Sequence, residues 1–209
     1  ARIYAEAPHL NFLPQTGPIH LWKPSVGPDR RIDSGIKSGQ QVSSHYDPML
    51  AKLICWAPTR SRAIQKLKHC IQNSILLGPI TNRSYLLELL SSPDFEQNTY
   101  DIGWVDTQVA HPPAATSVDW LAAAYLLCPP GDTYNTRGHS EWVCHLSQAE
   151  DVQLIKFSKQ SHLTADINGQ TIEFECHVHD SNELVLSIDG CTQRWWFAHD
   201  LDELILEAQ

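Results

Sequence analysis

Between Arg30 and Ala57 the chain carries Arg31, Asp33, Tyr46, Asp47 and Lys52 among β-prone apolar residues, with turns forced at Gly35, Gly39 and Pro48. An arginine does one kind of chemistry well in such a setting. Its guanidinium stays cationic when desolvated and presents a rigid, planar set of donors, so it holds negative charge without giving up a proton. The plainer reading is an edge-strand arginine whose charge is spent on Asp33. Asp33, Tyr46, Asp47 and Lys52 are groups able to fix a working arginine through hydrogen bonds. Tyr46-Asp47-Pro48 also reads as an Asx-type turn leading into a strand, and Lys52 inside an apolar strand needs a partner or a route to solvent.

The other chemistry-bearing residues form weaker patterns. Of the eleven histidines, His177 and His179 share a strand face with His145 or His162 nearby, but no third ligand has metal-site spacing, and no metal is expected. The six cysteines (Cys55, Cys70, Cys128, Cys144, Cys176, Cys191) include no Cys-x-x-Cys pair, and the chain is long enough to need no disulfide staples. Reduced thiols are expected.

These residues sit on a predicted α+β framework. Strands are expected at Arg2 to Glu6, Ile19 to Trp22, Arg31 to Ser34, Gln41 to Ser44 and Met49 to Trp56. Thr59 then caps an amphipathic helix whose apolar residues Ala63, Ile64, Leu67, Ile71 and Ile75 recur at three and four. A second helix, Asn82 to Leu90, ends at Ser91-Ser92-Pro93. His111 to Thr116 reads as a linker, giving a first domain over 1–111, a linker at 112–116 and a second domain over 117–209.

The second domain opens on a helix capped by Ser117 and apolar on every side from Trp120 to Leu127, which must be surrounded. Strands are expected at Trp142 to Leu146, Val152 to Phe157, Leu163 to Ile167, Ile172 to Val178, Leu184 to Ile188, Arg194 to Phe197 and Leu204 to Leu206. Asn168-Gly169 and Asp189-Gly190 are hairpin turns. An antiparallel β-barrel around a central helix satisfies both requirements.

Arg30 to Ala57, with Arg2-Ile3-Tyr4-Ala5-Glu6 upstream and Gly78-Pro79-Ile80-Thr81-Asn82 downstream, resembles the C-terminal domain of biotin carboxylase. That module completes an ATP-grasp active site in biotin-dependent carboxylases. The resemblance implies a part in ATP- and bicarbonate-dependent carboxylation of biotin: carboxyphosphate is formed, and CO2 meets the enolate form of the ureido ring. It implies Arg31 as the arginine that stabilises the developing oxyanion, with Arg30 as its competitor in register, Asp33, Tyr46, Asp47 and Lys52 as support, and Trp56, Arg60 and Arg62 near a subunit contact. Thr81-Asn82 matches the family's Gly-x-x-Thr-Asn and reads as a helix N-cap. Ala7 departs from the family, which usually has Asp there.

The order of elements after the linker is similar to the interaction domain that joins biotin carboxylase to carboxyltransferase in acyl-CoA carboxylases. Trp142, Trp195 and Trp196 are its expected contact residues. Residues 1–107 look most like methylcrotonyl-CoA carboxylase, with the propionyl-CoA, geranyl-CoA, acetyl-CoA and urea carboxylases as alternatives within the family, and a non-catalytic assembly module as the rival reading. The implied partners are the rest of the biotin carboxylase domain, the biotin carboxyl carrier domain and a carboxyltransferase β subunit. Biotin, ATP and Mg2+ are the implied cofactors, held mainly by segments outside this stretch, so the stretch alone is expected to be inactive. Met49 is the only methionine, and the chain reads as an excised piece of a longer polypeptide.

Composition narrows the partners further. Residues 1–113 carry 11 Lys/Arg against 9 Asp/Glu, a formal +2, while residues 114–209 carry 4 against 15, a formal −11. Nucleic acid is not expected, because neutralising phosphates takes clustered cations. No long apolar run or charged leader marks a membrane span or signal peptide. The expected compartment is the cytoplasm, or the mitochondrial matrix in a eukaryote.

Overall fold

The computed structural model describes residues 1–112, 114–128, 140–148, 151–159, 162–179, 181–200 and 203–209, apart from the side chains of residues 140–142, 148, 151, 152, 159, 178, 179 and 200. The chain divides into two compact units, Ala1–Pro113 and Ala114–Gln209.

The first unit runs β1 (Arg2–Tyr4), β2 (Glu6–Ala7), β3 (Leu13–Pro14), β4 (Gly17–Pro18), β5 (Leu21–Lys23), β6 (Arg30–Ser34), β7 (Gln41–Val42), β8 (Met49–Cys55), α1 (Arg60–Gln72), β9 (Ile75–Leu77), α2 (Arg83–Ser91) and α3 (Pro93–Gln97). Its centre is a three-stranded antiparallel sheet in the order β1-β8-β6. Helix α1 starts where Thr59 accepts a hydrogen bond from the Arg62 N–H at 3.4 Å, and it buries Ile64, Cys70 and Ile71 in a core shared with Ile3, Ala51 and Leu53 of the sheet.

Helical spacing predicts that α1 runs through Ile75, but the helix stops at Gln72. Asn73 Nδ2 donates to the His69 carbonyl at 2.8 Å and Ser74 Oγ donates to the Cys70 carbonyl at 2.7 Å, so side chains take up the last carbonyls. Ile75–Leu77 then forms a fully buried strand on β5. Gly78 follows, where an added Cβ would lie 2.6 Å from the Pro18 carbonyl oxygen, and only glycine permits that approach. Helix α3, absent from the sequence reading, restarts after the break at Ser92 with Pro93 in its first turn.

The second unit holds α4 (Ser117–Leu127), β10 (Ser140–Gln148), β11 (Asp151–Lys159), β12 (Leu163–Ile167), β13 (Gln170–His179), β14 (Glu183–Ile188), β15 (Cys191–Asp200) and β16 (Glu203–Ala208). Consecutive strands pair antiparallel in a seven-stranded meander. All seven expected strands form. Asn168-Gly169 and Asp189-Gly190 have positive φ at both central residues, as a twisted hairpin requires. The sheet is curled, and among the described residues no ladder joins β10 to β16.

Helix α4 packs Leu121, Ala122, Ala124, Tyr125 and Leu126 into one core with Phe157, Phe174, Leu186, Trp195 and other residues of the sheet. Its N-cap is Thr116, one residue earlier than expected. Thr116 and Asp119 form a reciprocal capping box, and the other Asp119 oxygen accepts the Trp195 indole N–H at 2.9 Å. All six cysteines are free thiols.

Leu121 is fully buried in this core. Leu121→Ala is expected to lower unfolding free energy by roughly 2–5 kcal/mol in denaturant titrations followed by tryptophan fluorescence.

Candidate functional site

The central sheet of the first unit is covered on one face. Ile3, Ile32 and Leu53 turn into the core, so the alternation of the pleat sends Arg2, Arg31, Asp33, Lys52 and Ile54 to the other side. Register places Arg2 opposite Lys52 and Lys52 opposite Asp33 in one row, with Arg31 opposite Ile54 in the next. Neighbouring strands lie about 5 Å apart, so the row spans roughly 10 Å. Three cations and one carboxylate share the surface.

Their charges are not equally available. Arg31 Nε donates to Asp33 Oδ1 at 2.7 Å and Arg31 Nη2 donates to Oδ2 at 3.0 Å, a two-pronged pair whose side chains are 74% and 41% exposed. The hydrogen bonds from Arg31 hold the Asp33 carboxyl below the usual carboxylate range, and the attraction of Arg31 and Lys52 adds to this. Arg30, the neighbouring candidate, turns the other way and donates to Ser25 Oγ. Among the described residues, neither Arg2 nor Lys52 carries an ion pair.

Arg2 is also anchored through its backbone. Asn82 is buried, its Nδ2 donates to the Arg2 carbonyl at 3.2 Å, and its Oδ1 accepts the Tyr4 N–H at 3.0 Å. The Asn82 N–H donates to the Tyr4 carbonyl at 3.2 Å. Asn82 occupies the N-cap position of α2, as expected, but its side chain makes no capping bond and instead serves the open edge of β1.

The remaining expected site residues disperse. Asp47 Oδ1 accepts the Met49 N–H at 2.8 Å, the Asx turn into β8, and Tyr46 projects into solvent at 83% exposure. Among the described residues neither makes a hydrogen bond or ion pair with Arg31. Burial raises the Glu6 carboxyl above its ordinary value, and the nearby Asp47 charge adds to the shift. Trp56 is 64% exposed.

Arg60 is exposed, and it also ties α3 to α1: it donates to the Phe95 carbonyl at 2.7 Å and lies over the Phe95 ring at 4.9 Å. Arg62 is exposed. Trp195 has 0% exposure and belongs to the core of the second unit, which removes it from the expected contact face. Trp196 is buried as well, its indole N–H donating to Gln209 Oε1 at 2.9 Å. The Trp142 side chain lies outside the described residues. Sequence reasoning passed over Arg2 and the bonding role of Asn82; the alternation Arg2-Ile3-Tyr4 was the available signal for the first.

Residues 1–107 match the biotin carboxylase C-terminal domain family. The chain belongs to that family. The methylcrotonoyl-CoA carboxylase α subunit of Mus musculus, a mitochondrial protein, is 46% identical over 97 residues, which are 46% of this chain and 14% of that protein. Its mitochondrial counterpart in Arabidopsis thaliana is 33% identical over 199 residues, 90% of this chain and 27% of the relative, so that match runs through the second unit as well. The chain thus spans about a quarter or less of these curated relatives.

Among solved structures, the complete pyruvate carboxylase of Rhizobium etli superposes with a TM-score of 0.50 at 31% identity, covering 52% of this chain and 11% of that one. The biotin carboxylase domain of Hydrogenobacter thermophilus 2-oxoglutarate carboxylase, in complex with MgADP, ADP and bicarbonate, gives 0.50 at 25% identity, covering 51% and 23%. Among the described residues no helix is long and apolar enough to cross a membrane.

The ion pair on this biotin carboxylase surface sets its acid titration. A carboxyl depressed in the fold contributes stability that is present above its unfolded pKa and is lost as pH falls through the folded value. In carboxylate NMR titrations Asp33 is expected to protonate below the ordinary Asp range, and Arg31→Ala to return it upward. An unchanged Asp33 midpoint in Arg31→Ala would show the pair to be absent in solution.

Proposed function

We propose that the exposed face of β1, β8 and β6 is one wall of a biotin carboxylase active site, and that Arg2 supplies its oxyanion-binding guanidinium. The observation that carries this reading is the distribution of charge on that face. Arg31, the arginine expected from resemblance, has Nε and Nη2 on Asp33, whereas Arg2 stands two strands over, on β1 beside Lys52, and among the described residues neither Arg2 nor Lys52 carries an ion pair. Two adjacent unpaired cations favour an anion between them.

Biotin, when bound, supplies the ureido group that takes up CO2. Arg2 holds the negative charge that develops on the ureido oxygen and keeps its own proton, which a guanidinium does and an ammonium of lower pKa does less securely. Lys52 adds attraction without a direct bond. The Arg31–Asp33 pair limits the excess positive charge and, with Ile54 and Trp56, forms the exposed border where the face meets another protein surface. ATP and Mg2+ are held by the parent protein outside these residues.

The parent is an acyl-CoA carboxylase α subunit of the methylcrotonyl-CoA type, a reading supported by similarity that extends along nearly the whole chain. It acts with a biotin carboxyl carrier domain and a carboxyltransferase β subunit, in the mitochondrial matrix if eukaryotic. The second unit, an acidic and separately cored domain, is the docking element for the β subunit, by a surface other than Trp195.

In a full-length subunit carrying this sequence, Arg2→Ala is expected to slow carboxylation of free biotin about a hundred- to thousandfold, the usual consequence of losing one oxyanion donor. ATP binding should be little changed, and Arg31→Ala should carboxylate within about threefold of wild type. A large loss in Arg31→Ala with Arg2→Ala near wild type would return the role to Arg31.

A further inference from the structure

We propose that Asn82 is a positioning residue for Arg2, acting through the backbone of β1. The inference rests on the assignment of Arg2 made above, and the experiment separates the two.

Strand β1 lies at the edge of its sheet: β8 pairs with one side of it, and among the described residues no strand pairs with the other. An edge of that kind leaves backbone donors and acceptors unsatisfied and the strand free to shift in register or to fray. With only three residues in β1 and a register irregularity between Ile3 and Tyr4, its ladder to β8 is short. The side chain that Arg2 offers to the open face is only as well placed as this strand.

Asn82 supplies the missing neighbour. Its carboxamide presents a donor and an acceptor in the plane of a peptide group, and both are used on β1: the Arg2 carbonyl receives Nδ2–H and the Tyr4 N–H is received by Oδ1. Together with the Asn82 N–H to the Tyr4 carbonyl, three hydrogen bonds hold the outer edge across the residue that separates Arg2 from Tyr4. Burial makes these bonds costly to lose, because water does not readily replace the partner.

The identity of the side chain matters as well. Serine and threonine are too short to span both sites, and aspartate accepts from Tyr4 but has no donor for the Arg2 carbonyl. An N-cap alone would be served as well by Ser, Thr or Asp, and Asn82 makes no capping bond. The close approach at Gly78 fixes where the chain leaves β9, four residues before Asn82. The arrangement therefore runs from Gly78 through Asn82 to the Arg2 backbone.

The test is a double-mutant cycle in a full-length subunit carrying this sequence, with Asn82→Ala, Asn82→Asp, Arg2→Ala and Arg2→Ala/Asn82→Ala. Displacing a catalytic group by about 1 Å costs on the order of a hundredfold, so Asn82→Ala is expected to lower kcat for free-biotin carboxylation about ten- to a hundredfold with the Kd for ATP unchanged. Because the loss passes through Arg2, the double variant should be no more than about twofold slower than Arg2→Ala. Backbone exchange measured by deuterium uptake should rise at Tyr4 in Asn82→Ala and stay protected in Asn82→Asp, which retains the acceptor. Should Asn82→Ala not fold, Asn82→Asp carries the cycle.

Multiplicative losses in the double variant, or protection at Tyr4 unaltered by Asn82→Ala, would overturn the positioning role while leaving the assignment of Arg2 intact. Arg2→Ala within threefold of wild type would overturn both.

Discussion

A β-sheet backed by one helix can bury only one of its faces, and the first unit is arranged around that restriction. Helix α1 covers the side of β1, β8 and β6 that carries Ile3, Leu53 and Ile32, and the two-residue period of the strands then delivers Arg2, Lys52, Asp33 and Arg31 to the opposite side together. No loop has to be shaped to collect them. Their chemistry follows from how the charges pair: Arg31 is consumed by a carboxylate two residues away on its own strand, while Arg2 and Lys52 face each other across a ladder with no anion between them. Proximity in sequence made Arg31 conspicuous, and that same proximity to Asp33 is what occupies it.

The second unit answers a different requirement. A helix without a polar side cannot rest on a flat sheet, and α4 is accommodated by a meander whose strands share one core with it. A polar contact inside this arrangement joins Asp119, already engaged in the capping box, to the buried Trp195 indole. A tryptophan there fixes the start of the helix against β15, and its burial explains why an aromatic pair that looks like a contact patch in sequence divides its work between core and the C-terminal Gln209.

Much of this was legible from residue order. Strong local chemistry sets the hairpins, since Asn168-Gly169 and Asp189-Gly190 tolerate positive φ at both positions, and the apolar run of α4 announced that it must be enclosed. Boundaries failed where polar side chains competed with backbone partners: Asn73 and Ser74 ended α1 before Ile75, and Thr116 outbid Ser117 as cap because Asp119 lies three residues on. The site was less legible, because its members come from three strands whose register is a tertiary property. Asn82 shows the limit most clearly. At an N-cap its residue type is fully explained by local rules, and only the position of β1 reveals that the carboxamide is used elsewhere.

The account turns on which guanidinium meets the anion, and the most direct measurement is a crystal structure of a full-length subunit carrying this sequence with biotin and bicarbonate bound. The account predicts an Arg2 nitrogen about 3 Å from a bicarbonate or ureido oxygen, Arg31 still paired to Asp33, and Asn82 still bonded to the Arg2 carbonyl. An Arg2 side chain turned to solvent with Arg31 released from Asp33 onto the oxygen would contradict it.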